Sequence, residues 1–90
     1  MSHCSRQITV GNRRGLHARA SAKFVNMVHS LPATVEVEKD GNRVTGTSIM
    51  GLMMLGAAKG DRVTIHVEGD EAEAHLAQLV ELIETKFGEE

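Results

Sequence analysis

Four segments of the sequence alternate between polar and apolar residues, and this pattern constrains the fold more than any other feature. The segments are 7–10, 34–38, 43–45 and 62–67. We predict a β-strand for each, with apolar side chains on one face only, which favours an antiparallel sheet with one covered face and one face in water. Asp40-Gly41 lies between the second and third segments and is a strong signal for a two-residue hairpin.

Three further segments have apolar residues at helical spacing, and they lie between or after the predicted strands. A first helix is predicted over 18–29 and a short second helix over 48–55, with Ser48 as its N-cap. A third helix follows the last strand, and the pair Asp70 and Glu73 resembles a capping box at its start. Its apolar stripe consists of Leu76, Leu79, Val80, Ile83 and Phe87.

The predicted element order is therefore β-α-β-β-α-β-α, which is typical of the α+β class. A chain of 90 residues can bury one small core, so we expect a single domain over residues 1–90. We predict an open-faced two-layer β-sandwich, in which a four-stranded antiparallel sheet has all three helices on one face.

The composition excludes several classes of binding protein. A formal net charge of −2 gives no electrostatic grip on nucleic acid, and two phenylalanines as the only aromatic residues cannot form a base-stacking platform. The sequence has no run of about 18 apolar residues that could span a membrane, and its N-terminus lacks the core of a signal peptide. We therefore expect a soluble cytoplasmic protein that binds neither nucleic acid nor membranes.

The histidines outside the first loop and the one cysteine do not indicate a metal or redox site. His3, His29, His66 and His75 lack the spacing of metal ligands, so we expect them to be solvated and predict no metal and no cofactor. Cys4 is the only cysteine and cannot form an internal disulfide. We expect it to lie in a frayed N-terminus.

The segment Gly15-Leu16-His17-Ala18-Arg19 places a histidine where the first loop meets the first helix. The N-terminus of a helix has backbone N–H groups without intrahelical partners, and its dipole favours negative charge. An imidazole at this position can accept a phosphoryl group on a ring nitrogen, while Arg19 adds a permanent cation with forked donors. The simpler interpretation is that His17 is only a polar cap and Arg19 a solvated side chain.

Backbone groups complete the candidate phosphate site. We expect the N–H groups of Ala18, Arg19 and Ala20 to meet the phosphate oxygens at the start of the helix. Nucleophile, anion-binding groups and counter-charge would then come from adjacent residues, which is enough for reversible phosphoryl transfer.

The segment 15–19 resembles the active-site signature of HPr, the histidine phosphocarrier family of the bacterial phosphotransferase system. The segments 48–56 and 57–61 resemble the family's regulatory-serine motif and the residues that follow it, and they lie at the family's spacing. The resemblance covers essentially the whole chain. It implies an open-faced β-sandwich of four antiparallel strands with three helices, in agreement with the pattern above.

The resemblance also implies roles for individual residues. His17 would take a phosphoryl group from phospho-enzyme I and pass it to an enzyme IIA, and Arg19 would steady the phosphohistidine. The chain would then be a monomeric carrier with a covalent intermediate, not an independent catalyst. Ser48 would be the residue that an HPr kinase/phosphorylase modifies, although serine is also a favoured N-cap without any regulatory role.

One residue departs from the family's usual pattern. Sugar-transport members usually carry proline after the arginine, where this chain has Ala20. Alanine at this position resembles the nitrogen-branch relatives, called NPr, whose circuit is regulatory. We therefore expect a regulatory branch of the phosphotransferase system. The alternative function is a non-catalytic regulatory or protein-interaction module on a ferredoxin-like sheet, which shares much of this element order.

The second predicted helix has more apolar residues than one buried face can hold. We expect Leu52 and Leu55 in the core and other large side chains on the surface, where flexible methionines suit several partners. The predicted docking surface around His17 consists of Leu16, Arg19, Ala22, Ile49, Met50 and Met53. The alternative is that all apolar residues of this helix belong to the core.

Overall fold

The structure is a computed structural model that describes residues 2–89, and within that range the chain forms one sheet and a helical layer. The elements in chain order are β1 (Ser2–Thr9), α1 (Ala18–His29), β2 (Thr34–Lys39), β3 (Asn42–Thr45), α2 (Ile49–Met54), β4 (Arg62–Gly69) and α3 (Ala72–Glu84). A 3-10 turn, Lys86–Gly88, follows α3. This order confirms the predicted β-α-β-β-α-β-α fold.

The strands of residues 2–89 form one antiparallel sheet in the order β1-β4-β2-β3. β4 pairs along its whole length with β1, and on its other side with β2. β2 and β3 form the hairpin that the sequence predicted. Asp40 and Gly41 have φ values of 53° and 85°, both positive, as a type I′ turn requires.

The core lies between one face of this sheet and the helices. Alternate residues of β4, namely Val63, Ile65 and Val67, are almost completely buried. Phe24 of α1 and Leu52 of α2 are buried with them, and α3 covers β1 and β4. Burying a large apolar side chain of this kind stabilises the fold by about 1.5–3 kcal/mol. The covered face confirms the predicted open-faced two-layer arrangement.

The opposite face of the sheet is polar. The Arg43 guanidinium lies 2.7 Å from a Glu36 carboxylate oxygen, and the His66 Nε2 lies 2.8 Å from Glu38. The prediction that His66 is solvated is wrong, because the neighbouring strand brings a carboxylate against its ring.

The first strand begins earlier than the sequence predicted. β1 pairs with β4 from Ser2 onward, so Cys4 is half-buried opposite Val67 and the N-terminal segment is not frayed. Burial, and then the nearby Glu73 carboxylate, raises the pKa of the Cys4 thiol. Residues 2–6 are mostly polar, and it is the length of β4 that makes them a strand.

The start of the third helix also differs from the prediction. The capping box of Asp70 and Glu73 does not form, because α3 begins at Ala72 after Glu71, which has a φ of 59° and makes no side-chain cap hydrogen bond. At its other end α3 stops at Glu84, and Phe87 returns to the core from the turn that follows.

Candidate functional site

Gly15 holds the loop between β1 and α1 against the segment that precedes β4. Its φ is 65°, and a Cβ here would collide with the Ala57 carbonyl oxygen and lie 2.9 Å from the Ala58 Cα. The Leu16 N–H donates to the same Ala57 carbonyl at 2.9 Å. This close approach fixes the loop just before His17, which lies at the start of α1.

His17 is the N-cap of α1, as the sequence predicted. Its Nδ1 accepts a hydrogen bond from the backbone N–H of Arg19 at 3.2 Å. Its Nε2 lies 2.7 Å from the Oε2 of Glu89. A backbone N–H can only donate and an ionised carboxylate can only accept. Both contacts therefore place the ring proton on Nε2 and leave a lone pair on Nδ1.

Glu89 joins this ring to the loop. Its other oxygen, Oε1, accepts a hydrogen bond from the Nδ2 of Asn12 at 3.2 Å. The same Nδ2 donates to the Gly15 carbonyl at 2.8 Å, and Asn12 is only 1% exposed. Both neighbours are acceptors, so the amide must present its nitrogen to them.

The charge state of Glu89 follows from its surroundings. Burial acts to raise its pKa, but hydrogen bonds from His17 and Asn12 lower it, with help from the charges of His17 and Lys23. The net effect holds the pKa of Glu89 below the ordinary value of 4.5. Glu89 is therefore ionised at neutral pH and acts as a hydrogen-bond acceptor toward the ring.

Cationic side chains surround this carboxylate. Arg13, Arg14, Arg19 and Glu89 line a cleft of about 240 Å³. Because Glu89 also touches His17, the cleft lies beside the imidazole and is positive on balance. The three arginines that line this cleft favour an anion such as phosphate through charge and forked donors.

The predicted phosphate-binding backbone occupies the first turn of α1. Ala18, Arg19 and Ala20 are its first three residues, so their N–H groups have no place in the intrahelical ladder. The Arg19 N–H is engaged with His17 Nδ1. Ala18 and Arg19 are exposed, whereas the Ala20 side chain is completely buried.

The structure exposes only some of the residues of the predicted docking surface. Ile49, Met50 and Met53 are exposed, and Met50 is 72% exposed, while Leu52 is buried. Leu16 is only 7% exposed and belongs to the core, so its predicted place on the surface is wrong. Its backbone bond to the Ala57 carbonyl ties this part of the loop to the interior.

α2 exposes one large residue that the sequence analysis missed. Met54 is 80% exposed, because a helix of six residues has too short a buried face to include it. The exposed residues Ile49, Met50, Met53 and Met54 are called the methionine patch below. α2 packs beside α1, and Ala22 on α1 is half-buried.

Ser48 caps α2 as predicted. Its Oγ accepts a hydrogen bond from the Gly51 N–H at 2.9 Å, and its side chain is half-buried. The cap explains the serine structurally. A phosphoryl group on this oxygen would lie next to the methionine patch.

Asn12 and Glu89 are the residues of the site that the sequence analysis missed. Glu89 contacts a ring 72 positions away in sequence, and Asn12 contacts Glu89 across 77 positions. Local spacing carries no information about such contacts. The polar Asn12 between an apolar strand end and a glycine loop was the only available signal.

Comparison with known proteins identifies the family. The family model described as the PTS HPr component phosphorylation site matches residues 4–85. The chain belongs to the HPr family. Among its HPr relatives, the phosphocarrier protein HPr of Neisseria meningitidis serogroup A is 51% identical over 83 residues, which cover 91% of this chain and 92% of that protein. The phosphocarrier protein NPr of Shewanella violacea is 32% identical over 89 residues, with 99% and 98% coverage.

Solved HPr structures share the fold. HPr-C-His from Thermoanaerobacter tengcongensis superposes with a TM-score of 0.91 at 44% identity, covering 97% of this chain and 98% of that one. An HPr dimer from the same organism has a TM-score of 0.75 at 45% identity, covering 91% and 94%.

Residues 2–89 contain neither a helix suited to cross a membrane nor a cluster of metal-binding side chains. No helix in this range is both long and apolar enough to cross a membrane. In the same range no three side chains of histidine, cysteine, aspartate or glutamate lie close enough together to hold a metal ion.

Proposed function

We propose that this HPr-family chain carries a phosphoryl group on Nδ1 of His17, taking it from phospho-enzyme I and passing it to an enzyme IIA. The observation that supports this most is the orientation of the imidazole. Its Nδ1 faces the start of α1 with a lone pair, and the Arg19 N–H is 3.2 Å away. The nucleophile therefore already lies where the helix can receive an anion.

The transfer needs little movement of the protein. As the Nδ1–P bond forms, the bond from phosphorus to the donor's leaving group breaks, and the Arg19 N–H is released from Nδ1. That N–H, with those of Ala18 and Ala20, then faces the phosphoryl oxygens. The Arg19 side chain is exposed, and its guanidinium would balance the added charge. Positioning and electrostatics of this kind are the main requirement of phosphoryl transfer.

The methionine patch is the surface that we assign to docking of enzyme I and enzyme IIA. Both partners must bring a reactive group within bonding distance of His17 and so must cover its surroundings. The patch lies on α2, which packs beside α1, and the arginines around the cleft provide a charged rim. A small apolar centre with a charged rim is typical of transient interfaces.

Ser48 is proposed as a regulatory site for an HPr kinase/phosphorylase. Its hydroxyl lies at the N-terminus of α2, where a phosphate is compatible with the helix dipole. Modification would add a charge of about −1.5 to −2 beside the methionine patch. A buried unpaired charge opposes docking, so the modified protein would bind enzyme I more weakly.

We propose a regulatory branch for this carrier, on the basis of Ala20 in the position where sugar-transport members usually carry proline. The test is to supply the phosphorylated chain to a nitrogen-type and a sugar-type enzyme IIA. Faster transfer to the nitrogen-type acceptor would support the assignment. Faster transfer to the sugar-type acceptor would refute it without affecting carrier function.

We also propose that the carrier acts as a monomer in the cytoplasm. Every side chain of the site comes from one chain, and the single cysteine is consistent with a reducing compartment. Size-exclusion chromatography with light scattering would detect a dimer, which would contradict the monomer assignment.

Carrier function is tested by incubating the chain with enzyme I and phosphoenolpyruvate. We expect an acid-labile mass increase of about 80 Da, the mass of one phosphoryl group, in place of a proton. His17→Ala is the matched variant and should show no increase. A non-catalytic interaction module would give no adduct in either protein.

A further inference from the structure

We propose that Glu89 is a positioning residue for phosphoryl transfer, which holds the imidazole of His17 in the tautomer that leaves Nδ1 free to attack. This inference rests on the proposed function, because it concerns the same ring. The Glu89 Oε2 lies 2.7 Å from Nε2, and the contact is mostly shielded from water, with side-chain exposures of 13% for His17 and 20% for Glu89.

A neutral imidazole carries one proton on its two nitrogens, and only the nitrogen without that proton has a lone pair for phosphorus. The Glu89 carboxylate can only accept, so it binds the tautomer with the proton on Nε2. The Arg19 N–H at 3.2 Å selects the same tautomer from the other side. Once a phosphoryl donor displaces that N–H, the Glu89 contact is the one that remains.

The same carboxylate offsets the charge that develops during transfer. As the Nδ1–P bond forms, the bond to the donor's leaving group breaks and Nε2 keeps its proton, so the ring acquires a positive charge. A carboxylate next to Nε2 stabilises this cation. In onward transfer the Nδ1–P bond breaks and its electron pair returns to Nδ1. Neither direction requires a proton to leave Nε2.

Asn12 places this carboxylate. Its buried amide nitrogen donates to the Gly15 carbonyl at 2.8 Å and to the Glu89 Oε1 at 3.2 Å, so it joins the loop before His17 to the turn after α3. Lys23 secures the same turn by donating to the Phe87 carbonyl at 2.7 Å. The position of Glu89 is thus determined by two anchors outside its own segment.

The test compares Glu89→Gln with the parent chain and with Glu73→Gln, a control with the same charge change at the opposite end of α3. Nitrogen-15 NMR of the His17 ring at about pH 9, well above the ordinary pKa of histidine, reports the tautomer of the neutral ring. We expect the Nε2–H form in the parent and in the control. A glutamine amide can also donate to Nε2, so we expect the Nδ1–H form to become detectable in Glu89→Gln.

Transfer rates are measured with two donors, enzyme I and the small molecule phosphoramidate, which needs no docking surface. We expect Glu89→Gln to slow both by about 10- to 100-fold, the size of effect seen when a group that orients a metal-bound imidazole is removed. Glu73→Gln should keep the parent rates. Thermal melts of each variant establish that it is folded.

Each alternative result has a definite meaning. An unchanged tautomer in Glu89→Gln, or rates within twofold of the parent, would overturn the proposal. A slower reaction with enzyme I alone would also overturn it, because Glu89 would then act in docking. If the parent accepts no phosphoryl group from either donor, the proposed function fails, and the ring spectrum still decides whether Glu89 holds the tautomer.

Discussion

Replacement of Gly15 by alanine tests whether close backbone packing places His17. Gly15 has a φ of 65°, and a Cβ would collide with the Ala57 carbonyl oxygen and approach the Ala58 Cα to 2.9 Å. The left-handed conformation alone costs a residue with a Cβ about 1–2 kcal/mol. Overpacking adds about 1–3 kcal/mol. We therefore expect Gly15→Ala to lower the free energy of unfolding by about 2–5 kcal/mol.

Gly56 is a matched control within the same chain. Its φ is 67°, almost identical to that of Gly15, but a Cβ there would meet no atom within 4 Å. Gly56→Ala should therefore show only the conformational cost of about 1–2 kcal/mol. The difference between the two variants isolates the effect of the contact with residues 57–58.

Urea melts monitored by circular dichroism measure both variants. With a slope of about 1–2 kcal/mol per molar urea, an overpacking cost of about 1–3 kcal/mol should place the Gly15→Ala midpoint about 0.5–3 M below that of Gly56→Ala. Equal midpoints would refute the reasoning, because they would show that the loop relaxes away from Ala57 without cost.

The remaining predictions concern the nucleophile, the docking surface and the carboxylate. His17→Ala should abolish phosphorylation by enzyme I while the protein stays folded, although loss of the N-cap contact should lower the free energy of unfolding by about 0.5–2 kcal/mol. An adduct in this variant would contradict the assignment. Met50→Glu and Ser48→Asp should both weaken binding in a titration against enzyme I. Gln78→Glu, which adds the same charge at an exposed position of α3, should not. Equal affinities of all three variants and the parent would show that enzyme I does not dock on the methionine patch. Because the folded-state pKa of Glu89 is lowered from 4.5, its ionisation adds stability that is fully present above that value and is lost as the pH falls through the folded-state pKa. The difference in melting temperature between the parent and Glu89→Gln should therefore be largest near neutral pH and disappear in acid, and a difference that persists at about pH 2 would contradict this.

Much of the fold could be predicted because its signals lie within a few residues of one another. The bounds of α1, the caps His17 and Ser48, and the hairpin at Asp40-Gly41 all agree with the structure. Each depends on periodicity, on a side chain that meets a nearby N–H, or on a backbone angle that a turn requires. The family resemblance rests on the same local motifs.

Elements that depend on distant partners could not be predicted in this way. The polar residues at the start of β1 form a strand because Ser2 lies opposite Gly69 and the pairing continues along β4. Asp70 and Glu73 give a local signal for a capping box, but the chain instead turns at Glu71 before α3 begins, and the capping box does not form. Burial of Leu16 likewise follows from the contact of its loop with Ala57.

The candidate site likewise has one part that local sequence predicts and another part that depends on distant contacts. By itself the sequence predicted the candidate nucleophile and its cation, because His17 and Arg19 lie at a helix start that the sequence also predicts. Only the tertiary structure decided what lies at the other ring nitrogen, because the Glu89 carboxylate is 72 positions from His17 in sequence and Asn12, which binds that carboxylate, is 77 positions from Glu89. A hydrogen bond forms only when a donor and an acceptor lie about 3 Å apart, and local sequence spacing does not determine which distant groups come that close.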